Sequence, residues 1–254
     1  MILYFVIPCY FDAEVLPLTG PVFLQKLHDL IDRGEIDDRS RVVFVNDGSA
    51  DATWDAIVRL HESDAHCVGI DLAENVGEQN ALLAGMSYAK DRADCCITMD
   101  SDLQDDIEAV DRMVWAFKAG SEAVFGVRAS RKNDSFSERA TSKLFYCVMR
   151  LVEKRSIPNH SNFRLLSSRA VELLLSQTDR PFFLPTLAAT LDVPSSAVFY
   201  NRLPRAAGES GYNFQKRLRL GLCAVRDHAA RRLRPDANPC KKEMPKAVLR
   251  RILD

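Results

Sequence analysis

The chain has 254 residues, 47% of them hydrophobic and 27% charged, with a formal net charge of −1. These proportions exclude global disorder, a collagen-like repeat and a disulfide-dense miniature scaffold, and the length suffices for a sizeable core. No run approaches ~18 consecutive apolar residues, so the sequence predicts no transmembrane helix.

Met1-Ile2-Leu3-Tyr4-Phe5-Val6-Ile7-Pro8 is apolar, carries no basic leader and runs straight into a proline, so it reads as a first strand rather than a signal peptide. Apolar runs rich in Val, Ile, Phe and Cys predict strands over 3–7, 41–45, 66–71, 95–99 and 122–127. Between them, apolar residues at helical spacing predict helices over 15–33, 51–62, 78–90 and 107–119, the second capped by Ser49 or Asp51. Trp54 and Trp115 are expected on the core faces of two of these helices. Alternation on this scale implies a mostly parallel sheet flanked by helices, an α/β architecture whose ligands bind at the carboxyl ends of the strands.

Past residue 127 the alternation breaks. A polar loop over 128–137 precedes an amphipathic helix over 138–154, then a loop over 159–162 leads into Phe163-Arg164-Leu165-Leu166. A helix over 168–176, an apolar segment over 182–191 and a strand over 197–200 follow. We expect one catalytic domain over 1–211 and a basic, amphipathic helical tail over 212–254. Residues 202–254 carry a net +9 and the rest a net −10. Such a tail fits anionic lipid at a bilayer interface, or else a helix packed on the body or on a second subunit in a homo-oligomer. It has no nucleic-acid recognition motif, so no nucleic-acid partner is expected. Seven cysteines at irregular spacing, without a Cys-x-x-Cys pair, predict reduced thiols and a cytoplasmic setting, peripheral on the membrane face if the tail binds lipid.

The sharpest chemical signal is Met99-Asp100-Ser101-Asp102 at the end of a predicted strand. Two carboxylates two residues apart can converge on one hard cation, Mg²⁺ or Mn²⁺, with Gln104 as a neutral oxygen ligand. The bland alternative is an acidic loop capping the helix that begins near Asp106.

The pair does not stand alone. Ile7-Pro8-Cys9-Tyr10, Val45-Asn46-Asp47-Gly48-Ser49, Asn75-Val76-Gly77 and Met99-Asp100-Ser101-Asp102-Leu103-Gln104-Asp105 fall in order at strand ends. This set resembles the inverting glycosyltransferases of family 2, which have the GT-A (Rossmann-like) fold. Gly126-Val127-Arg128, Asn162-Phe163-Arg164-Leu165-Leu166 and Arg205-Ala206-Ala207-Gly208-Glu209-Ser210-Gly211-Tyr212 resemble the branch that loads a sugar onto a polyprenyl phosphate, that of dolichyl-phosphate mannose synthase and undecaprenyl-phosphate glucosyltransferases.

The resemblance implies a nucleotide-sugar donor, a UDP-hexose ahead of GDP-mannose, and a polyprenyl phosphate acceptor. It implies that Pro8, Tyr10, Glu14, Asp47, Gly77, Asp100 and Ser101 hold the nucleotide sugar, and that Asp100, Asp102 and Gln104 bind the metal. Arg128, Arg139 and Arg205 would meet the donor diphosphate and acceptor phosphate, with Ser210 beside the latter. Two departures matter. Asn162 stands where many relatives carry Asp, and an amide cannot act as a general base. An ionised phosphate acceptor needs none, whereas a glycan hydroxyl does. Gly211 stands where relatives usually carry Lys. A glycan-hydroxyl transferase and a nucleotide-sugar-binding subunit without turnover are the rival readings. Five histidines are scattered; of these His160 precedes Asn162 and is expected to be an ordinary loop residue.

Overall fold

An apolar strand followed by a helix with one apolar stripe buries both only when the helix lies on the sheet. The computed structural model, which describes residues 1–130, 160–178, 184–204 and 249–254, repeats that unit along its first half. In chain order it has β1 (Leu3–Cys9), α1 (Leu16–Asp32), β2 (Arg41–Asn46), α2 (Thr53–Ser63), β3 (Cys67–Leu72), α3 (Glu78–Ala89), β4 (Cys95–Thr98), α4 (Ala109–Lys118) and β5 (Ala123–Ser130). Then come β6 (His160–Ser167), α5 (Ser168–Leu175), α6 (Leu184–Ala189), β7 (Ser195–Asn201) and β8 (Leu249–Leu253). The helix expected over 138–154, Arg139, Arg205, Ser210, Gly211 and the tail over 212–248 lie outside the described residues.

The strands form one sheet in the order β7-β5-β6-β4-β1-β2-β3-β8. β1 pairs in parallel with β2 and β4, β2 with β3, and β5 with β7, whereas β6 runs antiparallel to β4 and β5, and β8 antiparallel to β3. The sheet is thus mostly parallel at its centre, as expected. β1 is apolar throughout because both its faces are covered. Leu3, Phe5, Ile7 and Cys9 pack with α1, α2 and α4, while Tyr4 and Val6 pack with α3, α5 and α6. α3 lies close on the sheet through Gly85, where a Cβ would come within 2.4 Å of Val6 Cγ1. Cys9, Cys67, Cys95 and Cys96 are buried free thiols, and burial raises the pKa of each, which keeps them unreactive.

Three expectations are corrected. Trp115 is 73% exposed: Val110, Met113 and Val114 set the face of α4 that meets the sheet, and position 115 falls outside that stripe. Residues 160–162 are strand rather than loop, because pairing with β5, where Val127 lies opposite His160, extends β6 through polar positions that apolar patterning does not mark. Residues 249–253 form a strand on the open edge of β3, not part of an amphipathic helix. Arg251 in that strand reaches the buried carboxylate of Asp71 (Nη2 to Oδ2, 3.3 Å) and lies 5.3 Å from the centre of the Trp54 ring. Asp71 also accepts from Asn46 Nδ2 at 2.8 Å, so a strand arginine and a strand asparagine share one carboxylate.

Candidate active site at the carboxyl edge of the sheet

β1, β2, β3 and β4 point their carboxyl ends the same way, which gathers the loops after Cys9, Asn46, Leu72 and Thr98 on one edge. Polar side chains knit these loops together. Asp12 does most of it: its Oδ2 accepts from Tyr10 N (3.0 Å) and Ser101 Oγ (2.8 Å), and its own N donates to Thr53 Oγ1 (2.9 Å). Burial, opposed by those bonds and reinforced by the charges of Asp102 and Asp51, pushes the Asp12 carboxyl up. Sequence reasoning chose Glu14 as the acid of this loop. Glu14 is exposed, and Asp12 is the residue that turns inward. Pro8 is half-buried in β1 beside Val45. Tyr10 and Phe11 are about half exposed, with rings edge to face at 4.6 Å, and offer an aromatic surface at the rim. Phe11 and Leu103 hold left-handed backbone (φ 55° and 52°), non-glycine strain of the kind that collects at functional loops.

Asp47 is almost fully buried. Its Oδ1 accepts from Val76 N (2.8 Å) and its Oδ2 from Gly77 N (3.0 Å) and Asn75 Nδ2 (3.1 Å). Burial pushes its pKa up against the pull of the two backbone N–H groups. Asp47 therefore shapes the loop over 75–77. Gly77 sits at φ 87° with open space where a Cβ would be, so a backbone that L side chains rarely adopt is left uncovered just before Glu78 opens α3.

The acids converge beyond β4. Oδ1 of Asp100 is buried and, among the described residues, without a hydrogen-bond partner. Burial first, then the charges of Glu78, Asp105 and Asp102, push its carboxyl well above the usual range, while Arg128 pulls the other way. Asp102 Oδ1 accepts from Gln104 N at 3.1 Å. Gln104 itself is directed elsewhere: Arg202 donates to its Oε1, and Leu203 N donates to its carbonyl at 2.9 Å. Gln104 is thus tied to the exit of β7 as well as, through its backbone N, to Asp102.

Two arginines face this negative charge. Arg128 donates to Asp105 Oδ1 (3.3 Å) and Tyr200 Oη (3.3 Å), and Tyr200 donates to the same Asp105 oxygen. Burial would lower the Arg128 pKa, but Asp105 and Tyr200 outweigh it and raise it, so the guanidinium is permanently charged. Arg164 is 1% exposed, and burial lowers its pKa to about 10 against the support of Asp100 and Glu78. Its Nη2 donates to Asn162 Oδ1 (3.1 Å) and its Nη1 to Leu184 O (3.2 Å), and Asn162 Nδ2 donates to Glu78. Asn162 therefore links a carboxylate to a buried cation at the same edge.

Asp105, Glu78, Arg164 and Tyr200 were not singled out from the sequence. Two signals were present: Arg164 is a charge inside the apolar run Phe163-Arg164-Leu165-Leu166, and Glu78 directly follows Asn75-Val76-Gly77. An open cleft of about 780 Å³, lined by Ile2, Lys90, Asp94, Glu122 and Arg169, lies at the opposite ends of the strands and takes no part in this cluster. A buried, unpartnered carboxylate oxygen among several acids is a set of hard oxygen donors, which suits a divalent cation such as Mg²⁺ or Mn²⁺.

Residues 4–173 match the sequence pattern of glycosyl transferase family 2. The uncharacterized glycosyltransferase YkoT of Bacillus subtilis is 37% identical over 88% of this chain and 66% of its own length. The bactoprenol glucosyl transferase of Shigella phage SfV is 31% identical over 85% of this chain and 68% of its own. The chain spans about two thirds or less of the first curated relatives it matches. Among solved structures, glucosyl-3-phosphoglycerate synthase from Mycobacterium tuberculosis, crystallised with Mn²⁺, UDP and phosphoglyceric acid, superposes with a TM-score of 0.58. It is 14% identical, and the match covers 94% of this chain and 80% of that one. The mannosyltransferase PcManGT from Pyrobaculum calidifontis, solved with GDP-Man and Mn²⁺, gives a TM-score of 0.53 at 17% identity, covering 93% and 65%. At such identities these two share the fold.

Proposed function

The chain belongs to glycosyl transferase family 2, and from that premise we propose that it transfers a hexose from a nucleotide sugar, UDP-hexose ahead of GDP-mannose, to a polyprenyl phosphate, with inversion at the anomeric carbon. The observation that carries the reading is the buried Asp100 oxygen, unpartnered among the described residues, beside Asp102 at the carboxyl edge of a parallel sheet. Asp100 and Asp102 would hold Mg²⁺ or Mn²⁺, and such an ion offsets the charge that develops on a departing diphosphate. Gln104, held by Arg202, is left out of that ligand set.

The remaining roles fall to the chain's own side chains. Tyr10 and Phe11 offer ring faces to a base, Pro8 and Ser101 border the ribose, and Asp47 and Gly77 shape the backbone that passes beneath the nucleotide. Glu14, exposed at the rim, would at most border the nucleotide. Arg128, locked by Asp105 and Tyr200, presents a fixed cation for phosphate oxygens. Arg139, Arg205 and Ser210 would complete the phosphate contacts. Asn162 orients the acceptor without taking a proton. A phosphate nucleophile, ionised at neutral pH, needs nothing more. The curated relatives named bactoprenol glucosyl transferases support that acceptor. The net +9 of residues 202–254 supports a peripheral position on an anionic bilayer.

A glycan hydroxyl as acceptor is the second reading, favoured by one observation: Glu78, bonded to Asn162, is a carboxylate near enough to serve as the base that Asn162 cannot be. Incubation with radiolabelled UDP-glucose, UDP-galactose or GDP-mannose and either a short polyprenyl phosphate or a panel of oligosaccharides, with and without Mn²⁺, tests the proposal. Mn²⁺-dependent label in the organic phase is expected. Absence of both transfer and donor hydrolysis in every combination would refute it, and label appearing only on oligosaccharide acceptors would select the hydroxyl.

A further inference from the structure

We propose that His28, Asp64 and His66 form a second metal site, for a divalent transition ion of the Zn²⁺ class, at the end of the sheet opposite the nucleotide edge. His28 lies in the last turns of α1, Asp64 follows α2, and His66 immediately precedes β3. One ligand atom from each lies within 4.8 Å of the other two. Asp64 Oδ2 is 2.7 Å from His28 Nε2, and its Oδ1 is 3.3 Å from His66 Nδ1. A tetrahedral zinc ion with bonds of ~2.0–2.1 Å spaces its ligands by roughly 3.3 Å, so small side-chain rotations close the site.

Tautomer logic points the same way. His66 Nε2 lies 3.0 Å from the Asp38 carbonyl and 3.2 Å from its carboxylate, both acceptors, so Nε2 carries the proton. Nδ1 then faces Asp64 Oδ1, itself an acceptor, at 3.3 Å. Either a proton or a metal ion joins such a pair, and a metal ion in that place would reach His28 Nε2, 2.7 Å from the other Asp64 oxygen, at the same time. An imidazole that donates its far N–H to a carbonyl or carboxylate while its near nitrogen faces a cluster of donors is the usual arrangement of a metal-bound histidine and its outer partner. The side chains are 36%, 19% and 18% exposed for His28, Asp64 and His66, which leaves the ion a way in and room for water as a fourth ligand. Two imidazole nitrogens select Zn²⁺, Co²⁺, Ni²⁺ or Cu²⁺ over the Mg²⁺ or Mn²⁺ suited to Asp100 and Asp102, so the two sites differ in chemistry as well as in place.

Calorimetric titration of the tag-free full chain with Zn²⁺, and with Co²⁺ followed by visible absorption, tests the site. One saturable Zn²⁺ event is expected, unchanged in Asp102→Asn, lost in His28→Ala and in His66→Ala, and weakened about tenfold in Asp38→Ala. Because either alanine variant could misfold, imidazole resonances of His28 and His66 in the unaltered protein provide a second measurement; both should shift on Zn²⁺ addition while those of His61 stay in place. No saturable binding, binding that survives both histidine substitutions in folded protein, or loss of binding in Asp102→Asn would overturn the proposal.

Discussion

Replacing Asp100 by asparagine should stabilise the metal-free protein and weaken its response to Mn²⁺. Oδ1 of Asp100 is buried and, among the described residues, without a partner, and the carboxylate sits among the charges of Glu78, Asp105 and Asp102. A buried acceptor left unsatisfied costs ~1–3 kcal/mol. An amide of the same shape carries no charge and can donate to the neighbouring carboxylates, so Asp100→Asn should recover about that much, a rise of roughly 2–4 °C in Tm per kcal/mol for a chain of this size. The pH dependence carries the same sign. A carboxyl whose pKa is raised on folding contributes stability that is complete below its unfolded value, about 4, and is lost as the pH rises through the folded value. Asp12 and Asp47, raised by burial, act in the same direction. Differential scanning fluorimetry from pH 4 upward, with EDTA or with Mn²⁺, reads both effects. In EDTA the Tm of the unaltered protein should fall more steeply with pH than that of Asp100→Asn, and Mn²⁺ should raise the Tm of the unaltered protein and much less that of the variant. A variant that is less stable in EDTA, or that gains as much from Mn²⁺, would show that Asp100 is neither strained nor a ligand.

Arg164→Met removes the buried cation that faces Glu78 and Asp100 and leaves Asn162 without its donor. Breaking a buried charge network of this kind costs about 3–5 kcal/mol, to be read as a drop in the urea midpoint at constant slope. Arg251→Ala leaves Asp71 with Asn46 as its described partner and should cost ~1–3 kcal/mol. In a Trp115→Phe background the emission of Trp54, then the remaining tryptophan, should move as the guanidinium leaves its ring; unchanged emission and stability would mean that β8 adds nothing to the edge of the sheet.

Most of the strand and helix order over the first 130 residues was legible because each apolar run is closed by a polar turn and each helix has one apolar stripe. The edge that carries the chemistry followed from that order, since parallel strands deliver their following loops to one side. What stayed hidden depended on which way a side chain turns. Asp12 and Glu14 are two residues apart in one loop, and only the bonds from Tyr10 N and Ser101 Oγ distinguish them. Gln104 accepts from Arg202, a residue almost a hundred positions away, a bond that no local spacing marks. Trp115 was misassigned because its helix has apolar residues on more than one side. β8 mixes arginine with leucine and isoleucine, a composition that fits an interfacial helix as well as an edge strand, and the open edge of β3 decides between them.

β1 illustrates how a strand wrapped on both sides finds its alignment. Sliding it by one position would carry Tyr4 and Val6 into the layer of Phe5 and Ile7 without exposing a single polar group, so hydrophobicity alone would scarcely penalise the slip. The polar clamps at its two extremities do instead: Ile2 N on Asp94 Oδ2 (2.7 Å) and Leu3 N on Ser40 Oγ (3.0 Å) at one end, and Asp47 N on the Cys9 carbonyl (2.8 Å) at the other. Ser40 and Asp94, distant from any chemistry, thereby determine how far Pro8 and Tyr10 project past the sheet.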